Sequence, residues 1–277
     1  MIAAFLDLDR TLIHSATAAE GVIDALAVVE RIDGRASAYA PPTLARDLID
    51  LASLAAVVPT TTRSVAQLAR VTLFDSVPTR FRIAANGGVL LEDGSPVEAW
   101  SRRVLDAVAA GGTSVSLVRE RTAALVPTAT VRIVDGVFVY AVLAAADQAE
   151  AARGRLLAFA EDIEWRCSRQ GRKVYLVPHT VEKSTAMSEV ARRLGADLIL
   201  AAGDAELDRL MLGAADHAVV PAHADVLRPP GVVATLSSGP HASTEIVRRL
   251  RDFAEQHGRR ASAFDHDKET RWISASG

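Results

Sequence analysis

A single cysteine, Cys167, leaves the chain without an internal disulfide. A small fold held together by cross-links is excluded, and the usage fits a reducing compartment, so the cytoplasm is the expected location. Lysine is nearly as scarce: Lys173, Lys183 and Lys268 stand against 28 arginines. A lysine at any given position is therefore informative. No apolar run approaches the roughly 18 residues of a membrane-spanning helix. A basic stretch ahead of an apolar core is also missing, so the first apolar run reads as a strand and not as a signal peptide. Basic charge is not in excess, with a formal net charge of −3. Neither a nucleic acid nor a membrane is an expected partner.

Hydrophobic residues make up 49 % of the chain and charged residues 23 %, the balance of a globular protein and not of a disordered one. A length of 277 residues allows one large domain or two smaller ones and a core that needs no staples.

The opening Met-Ile-Ala-Ala-Phe-Leu-Asp-Leu-Asp-Arg-Thr begins with a short apolar run, as a strand buried on both faces requires. Leu44, Leu48, Leu51 and Leu54 recur at helical spacing. Residues 55–58 read as a second buried strand ending at Pro59. Val65, Leu68, Ala69 and Leu73 suggest another helix, and residues 82–85 a third strand ending at Asn86-Gly87-Gly88. Strand and helix in alternation predict a parallel α/β sheet.

The middle of the chain differs. Asp135-Gly136 between two apolar runs predicts a β-hairpin. Residues 98–110 and 146–160 read as helices, and residues 172–177 as a further strand after a turn at 169–171. These elements predict an α+β unit inserted over 88–177, between core segments 1–87 and 178–257. After Pro178 the α/β rhythm returns: a helix capped by Thr180, strands at 198–202, 217–220 and 232–236, a short helix at 206–212, and an amphipathic helix over 243–256. From Gly258 a polar, unpatterned tail is expected to be mobile.

In open α/β sheets, ligands bind at the carboxyl ends of the strands. Here those ends carry Asp7 and Asp9, then Thr61, Thr62 and Arg63, then Asn86, then Gly203-Asp204 with Asp208 four residues on; Thr61, Thr62, Arg63 and Asn86 are the candidates to bind a phosphate. Carboxylates brought together repel unless a cation sits among them. A set of hard oxygen ligands suits Mg²⁺, which often shares its shell with a substrate phosphate. Lys183 is placed in the first turn of a helix, where a cation opposes the macrodipole by about 0.3–1 kcal/mol. That placement points to an anion nearby.

Four motifs in order, Asp7-Leu8-Asp9-Arg10-Thr11 after the first strand, Thr61 with Arg63 after the second, Lys183 at a helix start and Gly203-Asp204-Ala205-Glu206-Leu207-Asp208 after a late strand, resemble the haloacid dehalogenase-like (HAD) phosphatase superfamily. The long insertion resembles the C2-type cap of its subclass IIB, a group of sugar phosphatases. The resemblance covers the core, about two thirds of the chain. It implies a Rossmann-like parallel-sheet core with an inserted α+β cap. Asp7 would be the nucleophile, forming an aspartyl-phosphate. Asp9 would protonate the leaving oxygen and then activate water. Thr61 and Lys183 would bind the phosphoryl group. Asp7, the backbone carbonyl of Asp9, and Asp204 would ligate Mg²⁺, with Asp208 holding the metal's waters or orienting Lys183. Three positions depart from the family pattern: Arg10 and Thr62 stand where glycine is common, and Leu207 where asparagine is common.

The expectation is a Mg²⁺-dependent phosphomonoester hydrolase acting on a small phosphorylated metabolite, such as a sugar phosphate. A phosphotransferase of the same fold and a non-catalytic binding module are the alternatives. In the insertion, Arg169 and Lys173, from a basic cluster with Arg166 and Arg172, are candidates to grip the substrate. Trp100 and Trp165 are expected to pack the core of the insertion. His14, His179 and Cys167 are expected to be structural.

Overall fold

The computed structural model describes the backbone of residues 1–274 and side chains through Arg259. Strand β1 (Ile2–Leu6) opens the chain. A hairpin of β2 (Ala27–Ile32) and β3 (Arg35–Ala40) follows. Helix α1 (Leu44–Ala52) leads to β4 (Ala56–Pro59), and α2 (Val65–Leu68) to β5 (Phe81–Ala84), β6 (Val89–Glu92) and β7 (Ser95–Pro96). Helices α3 (Glu98–Ala110) and α4 (Val115–Leu125) precede β8 (Thr130–Val134) and β9 (Phe138–Val142). Helix α5 (Ala146–Asp162) precedes β10 (Trp165–Gln170) and β11 (Lys173–Pro178). The chain then runs through α6 (Lys183–Leu194), β12 (Leu198–Ala202), α7 (Arg209–Ala214), β13 (His217–Val220), β14 (Val233–Ala234) and α8 (Pro240–Ser274).

The main sheet has the order β14-β13-β12-β1-β4, and every pairing in it is parallel. Strand β1 lies inside it, in register with β12 from Ile2↔Leu198 to Leu6↔Ala202. All five β1 residues are buried, which is why this strand is apolar without alternation. Helices α1 and α8 pack on each other and on the sheet, as do α6 and α7.

Residues 82–85 do not extend that sheet as a full member. β5 pairs antiparallel with β6 in a separate three-stranded sheet and joins the end of β4 through a parallel bridge, Thr60↔Ile83. The chain reverses at Asn86-Gly87, so the strand's main partner is the segment that follows it.

Strands β8 to β11 form an antiparallel sheet of order β10-β11-β9-β8, against which α4 and α5 pack. Helix α4 is an element the sequence pattern does not announce. The β8–β9 turn has positive φ at both Asp135 (43°) and Gly136 (75°), the geometry that selects this dipeptide. Asp33-Gly34 turns the β2–β3 hairpin in the same way, with φ of 50° and 76°. That hairpin is not among the expected elements, although its turn signal is identical.

Helix ends also differ from expectation. The N-cap of α6 is Glu182, not Thr180, and its side chain makes no capping bond. Helix α8 begins at Pro240 and continues to Ser274, so the backbone does not leave the helix near Gly258.

Candidate active site

Three parallel strands deliver their ends to one place. The Asp7 N–H donates to the Ala202 carbonyl at 2.9 Å, continuing the β1–β12 pairing past the strand. Thr60 N–H donates to Leu6 at 2.8 Å, and Thr61 N–H to Ile83 at 2.9 Å. Beyond Asp7 the chain folds into a tight turn, with the N–H groups of Thr11, Leu12 and Ile13 all directed at the Leu8 carbonyl. Leu8 is buried in the core, and Arg10 at the turn takes a positive φ of 66°. That conformation favours glycine.

Lys183 joins this group across 176 residues of sequence. Its ammonium is 1 % exposed and donates to Asp7 Oδ1 and to Asp208 Oδ1, each at 2.6 Å. The other Asp7 oxygen accepts from the Thr11 hydroxyl at 3.0 Å. The other Asp208 oxygen accepts from the N–H groups of Asp204 (3.0 Å) and Ala205 (2.9 Å). This folding-back of Asp208 requires Gly203: a Cβ there would lie 2.5 Å from Asp208 Cγ. Asp204 accepts from Arg10 Nε at 2.8 Å on one oxygen and from Gln170 Nε2 at 2.8 Å on the other.

One carboxylate oxygen from each of Asp7, Asp204 and Asp208 falls within 4.8 Å of the others, and all three residues are buried. The crowding is electrostatically costly. Burial and then the Asp208 charge push the Asp7 carboxyl up to about 7, against the pull of Lys183. Burial and then Asp7 raise Asp204 well above the usual range. Lys183 is held in its charged form because Asp208 and Asp7 outweigh the burial that opposes it. Two cations, Lys183 and Arg10, face three carboxylates. A buried, all-oxygen set that is short of positive charge fits a hard divalent cation such as Mg²⁺.

Asp9 stands beside this set and outside it. Burial opposes its ionisation, but Arg63 holds it down at about 2. The guanidinium grips both Asp9 oxygens, Nε to Oδ2 at 2.8 Å and Nη2 to Oδ1 at 2.9 Å. Its third nitrogen, Nη1, pairs with Glu30 Oε1 at 3.0 Å. Glu30 lies on β2, is 3 % exposed, and also takes Arg70 Nε at 3.2 Å.

The antiparallel sheet closes over this region. Gln170 reaches Asp204. The Thr62 side chain lies beside the Tyr175 hydroxyl. Lys173 lies over the Tyr140 ring, 5.6 Å from its centroid, and its charge acts on Asp9. Tyr140 and Tyr175 stack obliquely at 5.9 Å.

The remaining candidates separate. Thr61 is fully buried, and its hydroxyl accepts the Arg63 N–H at 3.1 Å. Asn86 is buried with a positive φ of 56°, and its amide nitrogen donates to the Val181 carbonyl at 3.0 Å, tying the third loop to the start of α6. Gly87 packs there so closely that a Cβ would meet the Glu182 carbonyl oxygen at 2.2 Å. Arg169 is not with the carboxylates: it pairs with Glu150 at 2.7 Å and Asp225 at 3.3 Å. Arg166 pairs with Glu182. Trp100 and Trp165 are buried, and Trp100 Nε1 donates to the Gly87 carbonyl at 2.9 Å. His14 is buried on Ser243 Oγ at 2.8 Å. Sequence reasoning missed Glu30, Gln170 and the Arg10–Asp204 pair. The Asp33-Gly34 turn is the one signal that locates the strand bearing Glu30.

No protein-family model and no curated protein matches the sequence. Solved structures do match in fold. The sucrose-phosphatase of Synechocystis, solved with sucrose and phosphate, is 16 % identical, with 90 % of this chain and 97 % of that chain covered at a TM-score of 0.61. The C-terminal domain of the C. albicans trehalose-6-phosphate phosphatase is 16 % identical, covering 91 % and 93 % at 0.57. A HAD subclass IIB sugar phosphatase is 13 % identical, covering 91 % and 99 % at 0.53. At these identities the likeness is one of architecture, and it spans nearly all of both chains. By its parallel sheet, its antiparallel one and its superposition on these structures, the chain has the fold of the HAD phosphatases of subclass IIB.

Proposed function

We propose that the protein is a Mg²⁺-dependent phosphomonoester hydrolase working through an aspartyl-phosphate on Asp7, with a small phosphorylated metabolite, a sugar phosphate, as substrate. The observation that carries this reading is the buried Lys183 ammonium bridging Asp7 and Asp208 at 2.6 Å each, in a carboxylate set one cation short and next to a separate carboxylate, Asp9. The structures of like fold, a sucrose-phosphatase and a trehalose-6-phosphate phosphatase among them, support the phosphate-ester class.

In this reading an Asp7 oxygen attacks phosphorus and the bond to the leaving oxygen breaks. Asp9 gives that oxygen a proton, which it takes up only once the Arg63 fork that holds it ionised has opened. Water then attacks the aspartyl-phosphate, Asp9 takes the water's proton, and Asp7 and inorganic phosphate are released. Lys183 offsets the charge on the transferring phosphoryl group. Asp208 orients Lys183, and Thr61 lines the phosphate side of the site. Asp7, Asp204 and the Asp9 main-chain carbonyl are the groups that would hold the metal, which supplies charge neutralisation to an anionic phosphate approached by an anionic nucleophile. The segment 88–177 acts as a cap whose closure keeps bulk water out during phosphoryl transfer.

The test is phosphate release from a panel of sugar phosphates with Mg²⁺ and with EDTA. Asp7→Asn is expected to lower turnover by at least about 1,000-fold, because no nucleophile remains. Asp7→Asn turnover near that of the unmodified protein would end the assignment.

A further inference from the structure

Residues paired across an antiparallel sheet point to the same face, and neighbours along a strand alternate. In the sheet of β8 to β11, one row sets Arg132, Tyr140 and Tyr175 side by side, and the next sets Lys173 beside Gln170. The residues between them, Ala141 and Val174 among them, are fully buried on the other face, where α4 and α5 pack. The first face therefore looks at the carboxylates. Gln170 reaches Asp204 at 2.8 Å, and the Tyr140 hydroxyl accepts from Gln67 Nε2 at 3.5 Å. These two rows carry Lys173 and Arg132 and no acidic residue.

Neither cation has an anionic partner among the described residues. The Lys173 side chain forms no ion pair or hydrogen bond with them and rests over the Tyr140 ring, 5.6 Å from its centroid. The exposed Arg132 side chain forms none either. Other arginines of the same sheet are paired, Arg166 with Glu182 and Arg169 with Glu150. The core meets a phosphoryl group with a different lysine, Lys183, held between Asp7 and Asp208. Lys173 enters from the opposite side, the antiparallel sheet. Its charge is therefore left for the part of a substrate that lies beyond phosphorus.

We infer that the substrate carries a second anionic group beyond its phosphoryl group, and that Lys173, with Arg132 at the outer edge, binds it. The inference rests on the hydrolase reading above and narrows the substrate to phosphate esters bearing a carboxylate or a second phosphate. An ammonium on an aromatic face is already partly stripped of water, which favours its pairing with such a group.

The experiment is kcat/KM with Mg²⁺ for esters paired so that the second group is what differs. For a carboxylate the pair is 6-phosphogluconate and sorbitol 6-phosphate. For a phosphate it is fructose 1,6-bisphosphate and fructose 6-phosphate. In at least one pair the charged ester should exceed its partner by about tenfold or more, the effect of one charge-assisted hydrogen bond. The pair that does so identifies the group. Lys173→Met should bring that ratio close to one, and Lys173→Arg should keep most of it. Arg132→Gln should lower it by a smaller factor. Any loss that Lys173→Met imposes on both members of a pair cancels in the ratio. Ratios near one for both pairs in the unmodified protein would overturn the inference and leave the hydrolase reading standing. A ratio that neither Lys173→Met nor Arg132→Gln changes would overturn it too, and Arg132→Gln carries this arm if the lysine variant does not fold. An unmodified protein that hydrolyses none of the four esters defeats the hydrolase reading itself, and this inference falls with it.

Discussion

At the scale of single residues, glycine decides whether the charged groups can meet. Gly203 has ordinary backbone angles, so its role is spatial and not conformational. The Asp208 side chain folds back beneath it, where an added Cβ would stand 2.5 Å from Asp208 Cβ and Cγ and 2.8 Å from Oδ2. Alanine there must push Asp208 aside. Asp208 then lets go of Lys183 or of the two N–H groups it accepts. Displacing a catalytic group by about 1 Å costs on the order of 100-fold in rate. Gly203→Ala is therefore expected to lower kcat about 100-fold while unfolding in urea shows a loss of about 1–3 kcal/mol. A variant with unaltered kcat would show that the fold-back of Asp208 has no bearing on turnover. Arg10 is the opposite case, a long side chain accepted at a positive φ. Its contact with Asp204 accounts for the departure from glycine seen in the sequence.

At the scale of elements, the strand ends and the start of α6 place three carboxylates around one ammonium, and pH should read that crowding directly. Burial and the Asp208 charge raise Asp7 from 3.8 to about 7. The folded chain therefore binds a proton that the unfolded chain lacks between those values. The stability this group contributes is full below 3.8 and is lost as pH rises to about 7, at about 1.4 kcal/mol for each pH unit crossed. A divalent cation needs the ionised carboxylates, so its binding expels that proton and tightens as pH rises. The Mg²⁺-induced rise in melting temperature should accordingly be larger at pH 8 than at pH 6. Equal increments at the two pH values would show that Asp7 does not couple to the metal. This much of the site was legible in the sequence because each motif is local to one strand end or one helix start. The partners were not. Nothing near Asp9 announces that Arg63 will fork onto it, and nothing near Arg63 announces Glu30. Those contacts depend on β5 turning back on β6, and on the β2–β3 hairpin reaching the loop after β4.

At the scale of the molecule, the antiparallel sheet is tied to the parallel one at several points, and its side chains divide by direction. Strands β8, β9 and β11 were readable from their apolar runs and from Asp135-Gly136, but β10 was not, since Arg169 and Gln170, expected in a turn, close that strand. Nor was the direction the sheet's basic residues face, since both faces of an edge hairpin carry charge. Arg169 and Lys173 sit on β10 and β11 with near-equal claims from sequence alone. In the structure Arg169 turns to Glu150 and Asp225, whose side chains are 51 % and 71 % exposed. Lys173 turns to Tyr140 and to the field of Asp9. Exposed ion pairs contribute about 0–1 kcal/mol each, so Arg169→Ala should cost less than about 1 kcal/mol in stability. It should also leave KM for a sugar phosphate within about threefold of the unmodified value, because a few tenths of a kcal/mol is all that loosening one such tie transmits. On the function proposed above, Lys173→Ala removes a cation whose charge acts on Asp9 from the site of an anionic substrate, and its KM should rise at least about tenfold, the effect of losing one charge-assisted hydrogen bond of about 1.4 kcal/mol or more. Steady-state kinetics on both variants with one sugar phosphate decides the matter. A larger KM rise in Arg169→Ala than in Lys173→Ala would place the substrate on the outer side of the hairpin, against the direction the two side chains take.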